Sequence, residues 1–107
     1  MKPKTKQLYE ARAKVAKALA HPSRQLMLDA LAESERCVAD LTELVGVDQS
    51  TVSKHLGVLK NAGIVDDRKE GSMTFYRLKI KCLRGFWSCV ESVLKQNLDE
   101  QRVAMRR

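Results

Sequence analysis

The stretch that most strongly limits the possible folds of this chain is VDQSTVSKHLGVLKNAG, residues 47–63. Asp48 is a residue type that favours the cap position before a helix, and Gly63 is typical of the position just after one. The apolar side chains between them recur at helical spacing: Val52, Leu56 and Leu59. The pattern predicts a capped amphipathic helix over residues 49–61, with one buried face.

A shorter amphipathic helix is predicted immediately upstream, over residues 37–45, ending at Gly46. Only the tight link 46–48 separates it from the helix predicted over residues 49–61. Two helices joined in this way are typical of a helix-turn-helix.

After this pair, the periodicity changes from 3.6 to 2. IVDDRK and TFYRLKI have the composition of strands and are joined by EGSM, in which Gly71 permits a turn. A β-hairpin directly after the second helix of a helix-turn-helix is a wing.

Three further helices are predicted, over residues 5–20, 22–33 and 82–100. Pro22 separates the first two, because the residue before a proline is driven out of the helical region. The predicted fold class is mainly α with a small β-hairpin wing. A single winged helix-turn-helix domain is expected to span residues 1–107, in the order helix–helix–helix–helix–strand–strand–helix.

The charge of the chain indicates a polyanionic partner. Twenty Lys and Arg residues outnumber thirteen Asp and Glu residues, which gives a net charge of +7. Nucleic acid is favoured over a membrane surface. The sequence has no long apolar run and no secretory signal pattern, so we expect no membrane segment and a cytoplasmic location.

The predicted helix over residues 49–61 supplies the candidate DNA contacts. Opposite its apolar stripe, and at its N-terminal end, small polar and basic side chains can reach base edges and phosphates. These candidates are Gln49, Ser50, Thr51, Ser53 and Lys54, with Arg68 and Lys69 added from the wing. His55 is expected to pack rather than to read bases. Arg24 is a weaker candidate for a phosphate contact.

The chain resembles the ArsR/SmtB family of bacterial metalloregulators in HPSRQLMLDAL, CVADL, DQSTVSKHLGVLKNAGIV and RKEGSMTFYRL. The resemblance extends over about residues 10–95. It implies a homodimeric repressor whose first and last helices form the dimer interface. Such a repressor binds an inverted-repeat DNA operator and leaves it when a metal or metalloid binds. The DNA contacts of the family fall on Gln49, Ser50, Ser53 and Lys54.

The cysteines indicate what the inducer is. In the arsenic-responsive branch the third helix opens with three cysteines, whereas here Ala39 and Thr42 replace two of them and Cys37 remains. The last helix has no His for a zinc-type site. The remaining thiols, Cys37, Cys82 and Cys89, predict a relocated site for As(III) or Sb(III), because three thiolates suit such ions.

Helix geometry limits this thiol site. Within one helix, Cys82 and Cys89 would be separated by about 10.5 Å along the axis, which is too far for one small ion. Cys82 should therefore lie at or before the helix start, or Cys37 should partner only one of the two, or the site should be completed across the dimer. The thiols could instead be buried small apolar residues.

Other functions stay open at this point. A thiol-redox or persulfide sensor, or a repressor that senses Cd(II), Pb(II) or Zn(II), would use the same scaffold. A dimerisation module without DNA affinity would lack salt-dependent binding to a duplex. No arrangement of nucleophile, base and orienting carboxylate indicates an enzyme.

Overall fold

The computed structural model describes residues 2–106, which form five helices and three strands. In chain order they are α1 (Pro3–Leu19), α2 (Pro22–Glu33), β1 (Arg36–Cys37), α3 (Val38–Val45), α4 (Gln49–Asn61), β2 (Val65–Glu70), β3 (Met73–Leu78) and α5 (Leu83–Met105). The predicted fold class is confirmed, and the predicted bounds of α2 and α4 match residue for residue. The last helix continues about one turn beyond its predicted end.

Local signals fix the boundaries of the helix-turn-helix. Pro22 occupies the first turn of α2, where its missing N–H costs nothing, and His21 caps that helix by accepting from the N–H of Ser23. At the end of α3, Gly46 adopts a φ of 78° and donates its N–H to the carbonyl of Thr42. A left-handed residue there ends α3 and turns the chain into α4.

The wing contains one strand more than predicted. The sheet has the order β1-β3-β2 and is antiparallel throughout, with Cys37 opposite Phe75 and Arg36 opposite Tyr76. The sequence analysis placed Cys37 at the start of the third helix, and it lies instead in a strand directly before that helix. Two residues are too few to show an alternating pattern, so β1 left no signal in the sequence.

The core joins the first four helices to the base of the wing. Fully or almost fully buried apolar side chains come from each of these elements, and Leu83 is the one buried residue of α5 among those described. Buried core residues are Ala18, Met27, Leu28, Leu31, Leu41, Val52, Leu56, Leu59, Ile64, Val65 and Leu83. The core therefore holds α4 between the wing and helices α1 and α2.

Helix α5 has a different environment. Its 23 residues run from Leu83 to Met105, and most of its large apolar side chains are exposed. Leu94 is 60% exposed and Leu98 is 48% exposed, while Trp87 packs partly against the core. Within residues 2–106, no helix combines the length and hydropathy that crossing a membrane would require.

Candidate nucleic-acid interface

The N-terminus of α4 is fixed by Asp48. Its carboxylate accepts the backbone N–H of Thr51 at 3.1 Å and the hydroxyl of Thr51 at 2.6 Å. These hydrogen bonds, the side-chain bond first, hold the pKa of Asp48 below its ordinary value. The Thr51 hydroxyl, predicted as a DNA contact, thus donates its proton within the protein and acts in the cap.

The two faces of α4 are divided as the helix periodicity predicts. Its apolar stripe is completely buried: Val52, Leu56 and Leu59. The opposite face presents four of the five predicted DNA contacts to solvent: Gln49, Ser50, Ser53 and Lys54. They form an exposed polar ridge at the N-terminal part of α4, and helix N-termini favour phosphate. We call Gln49, Ser50, Ser53 and Lys54 the reading face; its contact with DNA stays a prediction.

The two predicted wing contacts differ in their surroundings. Arg68 donates to Glu35 at 3.1 Å and to Glu70 at 2.7 Å, and its guanidinium lies 4.7 Å from the centre of the Phe75 ring. Hydrogen bonds to these two carboxylates raise the pKa of Arg68. Lys69 is exposed and takes part in none of the ion pairs found among residues 2–106. Of these two cations, Lys69 is therefore the one without a carboxylate partner among the described residues.

One ion pair connects the wing to α4, and a second lies within the wing. Lys60, in the last turn of α4, lies 2.9 Å from a carboxylate oxygen of Asp67 in β2, and this bond raises the pKa of Lys60. Directly across the hairpin, Asp66 and Arg77 pair at 3.0 Å. Both pairs balance charge at the base of the wing, and the pair between Lys60 and Asp67 joins β2 to α4.

Arg24 has a role that the sequence analysis missed. Its Nε donates to Nδ1 of His55 at 3.1 Å, and its Nη1 donates to the carbonyl of Ala18 at 3.2 Å. The ring of His55 packs against that of His21, with centroids 4.4 Å apart. The prediction that His55 packs is confirmed. Arg24 was predicted as a weaker candidate for a phosphate contact. Its side chain instead makes hydrogen bonds within the protein, because α2 packs against α4.

The three thiols are not brought together within one protomer. Cys37 is 5% exposed and pairs with Phe75 of β3, whereas Cys82 is exposed directly before α5 and Cys89 is exposed on α5. Among residues 2–106 no group of three His, Cys, Asp or Glu side chains could hold a metal ion. Cys82 does occupy the cap position before α5, as the sequence analysis required. A three-thiol site inside a single protomer is therefore absent from the described part of the chain.

Cys37 nevertheless lies next to the reading face. It lines a cleft of about 170 Å³ between the start of α3, the start of α4 and the tip of the wing. The other lining residues are Val38, Ala39, Gln49, Ser72, Met73 and Thr74. A group bound to the sulfur of Cys37 in this cleft would therefore lie close to Gln49 of the reading face.

Comparison with known families and proteins gives a consistent result. A family model for bacterial regulatory proteins of the arsR family matches residues 21–67. The HTH-type transcriptional regulator Rv0081 of Mycobacterium tuberculosis, itself uncharacterised, is 35% identical over 99 residues, covering 92% of this chain and 86% of that protein. A biofilm growth-associated repressor of Agrobacterium fabrum is 47% identical over 62 residues, or 58% of this chain. That match spans 53% of the repressor, about half of its length.

Solved structures show the same architecture. The homodimeric winged helix-turn-helix DNA-binding domain Mb0332 of Mycobacterium bovis, a possible ArsR-family regulator, superposes with a TM-score of 0.79 at 31% identity. The superposition covers 94% of this chain and 93% of that domain. The crystal structure of Rv0081 gives a TM-score of 0.76 at 32% identity and covers 94% of this chain and 98% of that chain.

Proposed function

Because this chain belongs to the ArsR family of bacterial regulatory proteins, we propose that it is a homodimeric DNA-binding repressor induced by a thiophilic metalloid. Membership makes it a transcriptional regulator rather than an enzyme. The operator is proposed to be an inverted repeat. The inducer is proposed to be As(III) or Sb(III), held by cysteine thiolates.

The observation that carries the DNA-binding proposal is the division of α4 into two faces. Three fully buried side chains fix the helix, while Ser50, Ser53 and Lys54 stay exposed beside the wing. Hydroxyl and ammonium groups on one exposed ridge can donate to base edges and phosphates in a major groove. The net charge of +7 adds long-range attraction for the duplex.

The dimer proposal rests on the terminal helices. Large apolar side chains are exposed on α1 and on α5, and they are too many for a chain that stays alone in water. They include Leu8, Tyr9, Phe86, Val93, Leu94 and Leu98. The similar Mycobacterium bovis domain is homodimeric. A symmetric dimer would present two reading faces to the two halves of an inverted repeat.

The inducer proposal rests on the chemistry and position of the thiols. Cys82 is exposed directly before α5, and Cys89 is exposed on α5, the helix we assign to the dimer interface. Since residues 2–106 of one protomer bring no three such ligands together, the site is proposed to combine thiolates from both protomers. Cys37, in the cleft beside Gln49, is the remaining donor and connects thiol chemistry to the reading face.

Fluorescence anisotropy with the full chain tests this proposal. A labelled duplex is first selected from a random library by the wild-type protein, and the complex is then titrated with arsenite, antimonite, Cd(II), Zn(II) and the thiol oxidant diamide. The same titrations are run on Cys37→Ser, Cys82→Ser and Cys89→Ser, with Ser88→Ala as a matched control on α5.

We expect arsenite and antimonite to release the DNA from wild type and from the control. Each Cys→Ser variant should need at least about tenfold more metalloid, since every lost thiolate removes one of three ligands. An unchanged response in all three variants would exclude the thiol site. Release by diamide alone would favour a redox sensor, and release by Cd(II) or Zn(II) alone would favour a divalent-metal sensor.

A further inference from the structure

Arg24 lies where three elements of the DNA-binding domain meet. It belongs to the first turn of α2, and its side chain bonds to the carboxyl end of α1 and to the middle of α4. The contact with α4 is a single hydrogen bond from Nε to Nδ1 of His55, 3.1 Å long. The contacts with α1 are made by Nη1 to the carbonyl of Ala18 at 3.2 Å and to that of Lys17 at 3.5 Å.

The bonds to α1 reach backbone carbonyls at the carboxyl end of that helix. The carbonyls of Lys17 and Ala18 lie in its last turn, where helical donors run out, and that of Lys17 also accepts the N–H of Ala20. A guanidinium with fixed donor directions can join such carbonyls to an imidazole nitrogen in one geometry. Because Nε and Nη1 of Arg24 are already bonded within the protein, a phosphate would have to compete with these acceptors.

His55 connects the hydrogen bonds of Arg24 to the reading face. It directly follows Lys54 in α4 and lies on the side of that helix that faces α2. Its ring is held from two directions, by the bond from Arg24 and by packing against His21. Rotation of α4 about its axis would break both contacts and would move Ser53 and Lys54 relative to the wing.

We infer that Arg24 is a positioning residue for DNA recognition, which sets the orientation of α4 through His55 and ties it to the end of α1. The inference rests on the proposed DNA-binding function. It also gives a physical connection between α1, which exposes Leu8 and Tyr9, and the reading face. A change in the packing of α1 would therefore alter the orientation of α4 through the hydrogen bonds of Arg24.

The protonation state of His55 provides a signature of this role. Nδ1 can accept from Arg24 only while it carries no proton, so the proton of the neutral ring lies on Nε2. Burial, then His21, then Arg24 lower the pKa of His55. On the α1 side, Lys14 and Lys17 line the groove that Arg24 shares with the end of α4. Acid should therefore replace the hydrogen bond with a repulsion between two cations.

The test compares specific with non-specific DNA binding. Affinities of the full chain for a duplex selected by wild type, and for a scrambled duplex of equal length, are measured against salt from pH 5.5 to 8. Variants are Arg24→Gln, Arg24→Lys, His55→Leu and His55→Asn; the Asn carbonyl oxygen replaces the Nδ1 acceptor. Thermal unfolding and sedimentation verify that each variant is folded and assembled as wild type is.

We expect Arg24→Gln and His55→Leu to lose about tenfold in affinity for the selected duplex, the effect of one hydrogen bond to a charged group. Affinity for the scrambled duplex and the salt slope should not change. His55→Asn should recover most of the loss and remove the fall in specific affinity at acid pH. Arg24→Lys keeps the positive charge but lacks the fixed donor directions of the guanidinium, so it should behave as Arg24→Gln does.

Two results would overturn the inference. Equal losses on both duplexes, with a salt slope reduced by about one, would make Arg24 a phosphate contact. Wild-type affinity in Arg24→Gln would show that α4 is oriented without it. Wild-type protein with no salt-dependent affinity for any duplex would instead refute the proposed function itself.

Discussion

The carboxylate of Asp48 accepts both the backbone N–H and the hydroxyl of Thr51, at 3.1 and 2.6 Å. Thr51 therefore belongs to the cap of α4, although it sits among residues expected to contact DNA. A side chain that closes the first turn of the reading helix contributes to binding through the conformation of that turn. Its effect on stability and on affinity should differ from that of its exposed neighbour Ser53.

A comparison of Thr51→Val with Ser53→Ala tests this distinction. Thr51→Val removes one of the cap bonds and should lower Tm by roughly 4 °C. Ser53→Ala should leave Tm unchanged and weaken operator binding by about fivefold, the effect of one lost neutral hydrogen bond. Calorimetry and anisotropy measure the two quantities. If Ser53→Ala is the variant that loses Tm, the assignment of the two faces of α4 is wrong.

Lys54 is predicted to make a phosphate or base contact from the middle of the reading face. Lys54→Gln should weaken binding to all duplexes and reduce the slope of log affinity against log salt by about one. Lys81→Gln is the matched control, because Lys81 is exposed ahead of α5 and away from α4. Equal salt slopes in the two variants would show that Lys54 does not contact DNA.

The two wing cations that are predicted to contact DNA, Arg68 and Lys69, should contribute unequally. Arg68 is already paired with Glu35 and Glu70, so a phosphate would have to compete with two carboxylates, whereas Lys69 has no such competitor among the described residues. Lys69→Gln should therefore weaken DNA binding about threefold more than Arg68→Gln does. Glu70→Gln should strengthen binding, because it removes one of the two carboxylates that compete for Arg68. Anisotropy at several salt concentrations would reveal the opposite order if the wing contacts DNA through Arg68.

Which features the sequence predicts depends on how local their signals are. Helices α2 and α4 begin at a proline or an Asp cap and carry apolar stripes, so their bounds follow from neighbouring residues. Strand β1 pairs with a strand that lies almost forty residues later in the chain. Nothing within Arg36–Cys37 itself indicates that pairing. For this reason the predicted helix start at Cys37 was wrong by one residue.

The functional groups follow the same rule. The exposure of Ser50, Ser53 and Lys54 follows from the period of one helix. By contrast, Arg24 and His55 are 31 residues apart and meet only because α2 packs against α4. Helix spacing required Cys82 to lie at or before the start of α5, where it is found, but it could not show that Cys37 would pair with β3 and be buried.

Dimerisation should depend on the exposed apolar face of α5. Leu98→Glu places a charge among side chains that we expect to be buried between protomers, and burial of an unpaired carboxylate is strongly unfavourable. The variant should sediment as a monomer at concentrations where wild type is a dimer, and lose at least about tenfold in operator affinity. Leu26→Glu, which alters an exposed leucine of α2, is the control. A dimeric Leu98→Glu would place the interface elsewhere.

The stability of the chain should fall in mild acid because of His55. Its pKa lies below the ordinary value of 6.5, so the unfolded chain binds more protons than the folded chain as the pH drops below 6.5. The free energy of unfolding should therefore decrease from about pH 6.5 downward and level off below the folded pKa. In His55→Asn this part of the decrease should be absent, while stability at pH 8 stays close to that of wild type. Urea unfolding of both proteins at intervals of half a pH unit measures the difference. Parallel pH profiles would show that His55 titrates equally in the folded and unfolded chains, and that its contact with Arg24 does not depend on its protonation.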